Sequence, residues 1–280
     1  MRGKVVVMTG GTSGIGQVAA EALAGLGARL VLIARDPGRA EHALSRLRAI
    51  APEARHAVLQ ADLSSIAETR RVGEAIAAAE PRIDVLINNA GAIFGQRRTS
   101  PEGLELTFAL NHMAYFVLTQ ALQGRLAKTP GARVVSTASN AHQAGRLDLD
   151  DLQSQRRYSP FTAYGTSKLC NILFTRELAR RLAPSGVTAN CLHPGFVATR
   201  FGDNSGGVIQ ALMPLAMVMA ISPRKGADTL IHLASSPDAA QISGQYFYKR
   251  KVARVTPAAQ DDQAAARLWA ASEALAARFG

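Results

Sequence analysis

Tyr164 and Lys168 stand four residues apart in "FTAYGTSKLCNILF" (161–174), where the Phe, Ala, Leu and Ile residues can form an apolar helical face. On a helix, that spacing puts phenol and ammonium side by side. The spacing alone leaves two readings open: an ordinary exposed pair, or a proton donor beside the charge that tunes it. A free tyrosine titrates near ~10 and so exchanges protons poorly in one direction at neutral pH. A neighbouring ammonium favours the phenolate, and a downward shift of about two to three units corresponds to roughly 3–4 kcal/mol. One poorly solvated charge a few ångströms away supplies energy of that order.

A second chemical feature is the loop "TGGTSGIG" (9–16). Gly10, Gly14 and Gly16 allow a sharp turn and close approach to a pyrophosphate, which is stabilised by the amides and dipole of a helix start. Thr12, Ser13 and Ile15 complete the loop. Its spacing, G-x-x-x-G-x-G, is not the G-x-G-x-x-G fingerprint, so dinucleotide binding and a plain turn both stay open. Further on, an apolar run ends in Ala34-Arg35-Asp36. An acid at such a strand end holds the ribose hydroxyls of NAD, whereas an arginine suits the 2′-phosphate of NADP. Ala34 occupies the acid's usual place and Arg35 the next, which favours NADP(H) over NAD(H). Asp36, otherwise a solvated turn residue, is the counterargument.

These groups need a scaffold that gathers them. Short β-branched runs at 4–10, 28–35, 56–63, 84–91, 132–139 and 187–195 alternate with helical patterns, the first ending at Gly27. Apolar strands alternating with helices predict an α/β fold: a Rossmann-type, doubly wound parallel sheet of about seven strands, flanked by helices on both faces. Its ligand site lies at the carboxyl ends of the strands. No linker or repeat divides residues 1–280, which predicts a single NAD(P)-binding domain.

Composition narrows the function classes. The net charge of +11 arises from basic residues dispersed along the chain, without an aromatic-plus-basic ladder, which disfavours nucleic acid and suits an anionic small ligand. The apolar stretch at Val5–Met8 is too short for a signal peptide, and 208–221 contains Pro214 and falls short of a membrane span. Cys170 and Cys191 make no disulfide framework, and the six histidines lack metal-ligand spacing, so a cytoplasmic protein with no metal is expected.

Taken together, the chain resembles the short-chain dehydrogenase/reductase family. The motifs are "TGGTSGIG", "DL" (62–63), "NNAG" (88–91), the Asn in "FALNHMAYF", the Ser in "VVSTAS", "YGTSK" (164–168) and "HPG" (193–195). Within the family it is most similar to the retinol-dehydrogenase-type branch, through "NHMAYFVLT", "SKLCNILFTRELARRL", "HPGFVATRF", "LASSPDAAQISGQYF" and "ARLWAASEAL". The resemblance implies a catalytic set of Asn111, Ser139, Tyr164 and Lys168. Tyr164 is then the general acid/base, and Lys168 lowers its pKa and binds the nicotinamide ribose. Ser139, preferred to Ser136, binds the substrate oxygen, and Asn111 holds a water leading to Lys168. Asn111 as a bridge in a helix bend is the alternative. It further implies cofactor contacts from Asp62, Leu63, Asn89, Ala90, Gly91, Pro194, Gly195, Val197 and Thr199. Asp62 is equally suited to capping the helix that starts near Ser64.

The implied activity is interconversion of a carbonyl and an alcohol by hydride transfer. A small lipophilic substrate would be covered by a lid around 200–222, whose Met and Leu residues would line an apolar pocket. Packing on another subunit or peripheral membrane contact are the other uses of that segment. The resemblance also implies a homodimer or homotetramer, with 103–128 and 160–183 as dimer surfaces, and a loop at 144–161 beside the substrate mouth. The competing class is a redox-sensing or scaffolding protein that binds the cofactor without turnover.

Overall fold

The computed structural model describes residues 1–195 and 221–279. The expected contacts of Val197 and Thr199, and residues 200–220 of the expected lid, lie outside the described residues.

The chain alternates as expected. Strands β1 (Val5–Thr9), β2 (Arg29–Ala34), β3 (Ala57–Gln60), β4 (Val85–Asn88), β5 (Arg133–Thr137), β6 (Thr188–Leu192) and β7 (Tyr246–Tyr248) are mutually parallel, and β8 (Lys251–Val252) is antiparallel to β7. The order is β3-β2-β1-β4-β5-β6-β7-β8, with the reversal between β1 and β4 that marks a doubly wound sheet.

The helices among the described residues are α1 (Gly14–Gly25), α2 (Pro37–Ile50), α3 (Ile66–Ala79), α4 (Leu106–Phe108), α5 (Ala114–Ala127), α6 (Pro160–Leu182), α7 (Pro223–Ser235) and α8 (Asp262–Arg278). A π turn, Ala109–Met113, joins α4 to α5.

Among the described residues the sheet has eight strands, in keeping with the expected seven or so. The additional one, β8, is two exposed residues after a turn in which Lys249 and Arg250 both take positive φ. Such a turn normally announces itself with Asn-Gly or Asp-Gly, and here it does not.

The strands are apolar throughout because each face covers its own core. Val5 and Val7 of β1, with Val31 and Ile33 of β2, pack on the face that carries α3, α5, α6 and α8. Val6, Met8, Leu30 and Leu32 pack on the opposite face with α1, α2 and α7. Alternate residues therefore serve opposite cores, as the period-2 geometry of a strand requires.

Helices α3 and α5 cross closely at Gly73, where an added Cβ would lie 2.6 Å from Ala121 Cβ and 3.3 Å from Leu118 Cδ1. Gly73→Val should therefore force the helices apart. A loss of about 2–3 kcal/mol is expected, seen as a Tm lower by roughly 4–10 °C in thermal unfolding. An unchanged Tm would show that the crossing yields freely.

Candidate active site

The site forms where β1, β4 and β5 end. Thr9, the last residue of β1, accepts hydrogen bonds on Oγ1 from the backbone N–H groups of Asn89 (2.9 Å) and Ala90 (3.0 Å). Asn89 Nδ2 donates to the Gly10 carbonyl at 3.1 Å, and Asn89 Oδ1 accepts from Thr137 Oγ1 at 3.0 Å. One amide thus ties the glycine loop to the end of β5. Thr137 continues the chain of contacts, its carbonyl accepting from Lys168 Nζ at 3.0 Å and from Asn171 Nδ2 at 3.4 Å.

Helix α6 delivers Tyr164 and Lys168 to this point on one face, as their spacing predicts. Lys168 is buried, with Nζ 5.6 Å from the centre of the Tyr164 ring and 5.8 Å from that of Tyr115. Tyr115 in turn donates its hydroxyl to the Ala90 carbonyl at 2.9 Å.

Ser139 lies just past β5 and caps the short turn Asn140–Ala144, accepting from the Ala141 N–H at 3.1 Å, and its hydroxyl is hydrogen-bonded to Tyr164. Ser136, the rejected alternative, is buried within β5, and among the described residues its Oγ has no hydrogen-bond partner. Backbone contact brings the Ser139 turn to α6. A Cβ on Gly165 would meet the Ala141 carbonyl at 2.7 Å, and one on Gly145 would meet the Gly165 carbonyl at 2.5 Å. The residue after the tyrosine has to be small for Ser139 and Tyr164 to meet.

Asn111 sits in the π turn and is buried. Its Oδ1 accepts from the Ala92 N–H at 2.9 Å, while Nδ2 donates to the Ala92 carbonyl and to Ser167 Oγ, each at 3.0 Å. The side chain thus bridges the Ala92 backbone and Ser167 within a helix bend. Ser167 passes the link on, donating to the Tyr164 carbonyl at 2.7 Å.

At the loop, Gly10 (φ +66°) and Gly14 (φ +55°) adopt left-handed backbone, and a Cβ on Gly16 would lie 1.9 Å from the Gly10 carbonyl. Ser13 N-caps α1 without a side-chain hydrogen bond, and the first turn has no acid, so its amides are not engaged by a side chain of that turn. Gly91 lies against Asn111 and Lys168, where a Cβ would stand 3.0 Å from Asn111 Oδ1 and 3.5 Å from Lys168 Nζ.

The remaining predicted contacts are more scattered. Arg35 is exposed beyond β2, and Asp36 N-caps α2 by accepting from the Arg39 N–H at 2.7 Å. Asp62 accepts from the N–H and hydroxyl of Ser64 at 3.0 and 2.8 Å, but the helix cap itself is Ser65. Leu63 is buried, and Gly195 follows Pro194 with φ +90°, its N–H donating to His193 Nδ1 at 3.1 Å. Thr9, Thr137, Tyr115, Gly165, Ser167 and Asn171 escaped the sequence reading. Only the Gly next to Tyr164 carried a signal that could have found it.

A model of the family described as short chain dehydrogenase matches residues 4–206. The chain belongs to that family. Retinol dehydrogenase 14 of Mus musculus is 39% identical, over 98% of this chain and 86% of its own length. A Streptomyces sp. protein provisionally named a daunorubicin C-13 ketoreductase is 41% identical, over 97% of this chain and 92% of its own. Among solved structures, a short chain dehydrogenase from Burkholderia cenocepacia in complex with NADP matches with a TM-score of 0.70 at 27% identity, covering 88% of this chain and 95% of that one.

The protein is thus a short-chain dehydrogenase/reductase of the retinol-dehydrogenase-type branch, an enzyme of carbonyl–alcohol redox chemistry on an NAD(P)-binding fold. The left-handed glycines and the α1 amides fit a dinucleotide's phosphates.

In this short-chain dehydrogenase, burial dominates the titration of the central pair. It pushes the Tyr164 phenol up to about 12, against the Ser139 hydrogen bond, which lowers it. It pushes Lys168 down from 10.5 to about 7. Burial, and not the lysine, thus sets the direction of the tyrosine's shift in the chain by itself.

Between pH 7 and 10.5 the unfolded chain carries a proton on Lys168 that the folded chain lacks, so this residue makes stability rise with pH across that window. Below it, the buried charge is a constant cost. Lys168→Met should raise the Tm of cofactor-free protein by several degrees at pH 6–7, and the gain should fade towards pH 10. A gain independent of pH in paired melting curves would contradict burial as the cause.

Proposed function

We propose that the enzyme interconverts an aldehyde or ketone and an alcohol using NADP(H), with Tyr164 as general acid/base and a lipophilic substrate. The observation that carries this reading is the Ser139–Tyr164 hydrogen bond one helical turn from buried Lys168, on strand ends tied to the glycine loop through Asn89 and Thr137.

The bound cofactor supplies the hydride to the carbonyl carbon. Ser139 holds the carbonyl oxygen, and Tyr164 gives it the proton from its hydroxyl. The resulting phenolate is stabilised by Lys168, whose own protonation the phenolate favours in return. A lysine held near 7 by burial is thereby coupled to the charge on its neighbour. Asn111 keeps Ala92 and Ser167 in place around the pair and thus acts as a positioning residue.

NADP(H) is supported by Arg35, and by the engagement of Asp36 as a helix cap, which removes the acid that would favour NAD(H). A lipophilic substrate is supported by the relatives, since retinol is largely apolar and daunorubicin carries a bulky fused-ring system. Apolar side chains near the pair support it too. Phe161, one turn before Tyr164, is 62% exposed, and Ala92, Phe94 and Leu106 form a small buried cluster beside the Asn111 clamp. The Tyr158 hydroxyl donates to the Phe94 carbonyl at 2.8 Å, fastening the 144–161 loop to that cluster.

Tyr164→Phe should leave NADPH affinity within about twofold and lower kcat by at least ~10³-fold, or about 4 kcal/mol. Retained turnover would remove Tyr164 from its role. Wild-type protein that binds NADPH but turns over none of a panel of aliphatic, aromatic and retinoid carbonyls would instead favour a redox-sensing or scaffolding role. In steady-state assays the kcat/KM should be higher with NADPH than with NADH. The opposite order would overturn the assignment to Arg35.

A further inference from the structure

Beyond the end of β2, an open hollow of about 450 Å³ is lined by Arg35, Gln60, Ala61, Asp62, Glu68 and Arg71. Arg71 comes from α3, outside the family's nucleotide motifs and between "DL" and "NNAG", and neither its position nor its neighbours in the sequence suggest a role. The fold places it. Gln60 ends β3 and pairs in register with Ala34 at the end of β2. Arg71 Nη2 donates to the Gln60 carbonyl at 3.0 Å, and Gln60 Nε2 donates to the Arg35 carbonyl at 3.1 Å. The Arg71 guanidinium is therefore held over the same strand ends from which Arg35 emerges.

Among the described residues, the hollow brings basic and acidic side chains together without an ion pair between them. Arg29, Arg46, Arg82 and Arg250 each form an ion pair with a carboxylate. Among the described residues, the guanidinium groups of Arg35 and Arg71 form none, although Asp62 and Glu68 line the same hollow. Both carboxylates have local partners. Asp62 Oδ1 accepts from Ser64, and Glu68 Oε2 accepts from the Asp62 N–H at 2.7 Å. Arg71 spends one of its five N–H donors on Gln60, leaving a fork suited to bidentate contact with an anion.

We propose that Arg71 is a second specificity residue for the cofactor, binding the 2′-phosphate of the adenosine ribose together with Arg35. The inference rests on the NADP(H) reading and adds a residue to it. Two guanidinium groups reach the phosphate from adjacent strand ends, one directly after β2 and one across from α3. Gln60 sets the distance between them through its main-chain and side-chain bonds.

Calorimetric titration of cofactor-free protein with adenosine 2′,5′-bisphosphate and with 5′-AMP isolates the 2′-phosphate without turnover. Wild type should bind the bisphosphate at least tenfold more tightly. Arg71→Gln should weaken the bisphosphate about 5–20-fold and leave 5′-AMP within twofold, with an unchanged Tm. Arg71→Lys should recover part of the loss. The wild-type preference should shrink as salt is raised, since exposed charge contacts are screened.

An Arg71→Gln variant that binds both nucleotides like wild type, or that weakens both equally, would overturn the inference. In either case a loss confined to the bisphosphate in Arg35→Gln would keep the NADP(H) reading. A wild type without preference for the bisphosphate would defeat that reading and the inference with it.

Discussion

A buried ammonium governs the architecture around the site. Lys168 is 2% exposed and is held by a carbonyl at the end of β5 between two tyrosine rings. Removing such a charge from water is costly, and the fall of its pKa to about 7 reflects that cost. The carbonyl that receives it must therefore be fixed. Thr137 is fixed from its own side chain through Asn89, and Asn89 reaches the glycine loop. The glycine loop and Lys168 consequently belong to one hydrogen-bonded unit, and a displacement at either end would be felt at the other.

The distances in that unit are set by backbone contact more than by long side chains. Gly16 against Gly10, Gly165 against Ala141 and Gly145 against Gly165 leave no room for a Cβ. Close-packed main chain deforms little, so Ser139 and Tyr164 meet without having to be ordered by a ligand. The π turn contributes in the same sense. It presents Asn111 to both polar groups of Ala92, which would otherwise be unpaired in a buried segment.

The two ends of the site differ in electrostatic character. The end at Arg35 is open and carries exposed arginines, whereas near Tyr164 stand the exposed Phe161 and a buried cluster of Phe94 and Leu106. An anionic, water-exposed ligand part suits the first and a bulky apolar one the second. The excess of basic residues is therefore best understood locally. Several arginines are consumed in ion pairs on the surface, and such exposed pairs contribute little to stability.

Much of this was legible in the linear chain. Val5 to Met8 read as a buried strand because every position is apolar, and both cores confirm it. The four-residue step from Tyr164 to Lys168 required a shared helical face, and the glycine loop required a turn before a helix. Those are local rules of period and backbone freedom, which one short segment is enough to express. What Asn89, Asn111, Thr137 and Arg71 do was settled elsewhere. Asn89 meets Gly10 and Thr137 across sequence separations of 79 and 48 residues. Arg71 shares its hollow with Arg35 only because β2 and β3 align in register. No local pattern encodes such partners, since side-chain hydrogen bonding is decided by which strands lie side by side. The sequence by itself therefore determined which residues have chemical capacity. The tertiary structure decided which of them face a ligand and which are spent holding the others in place.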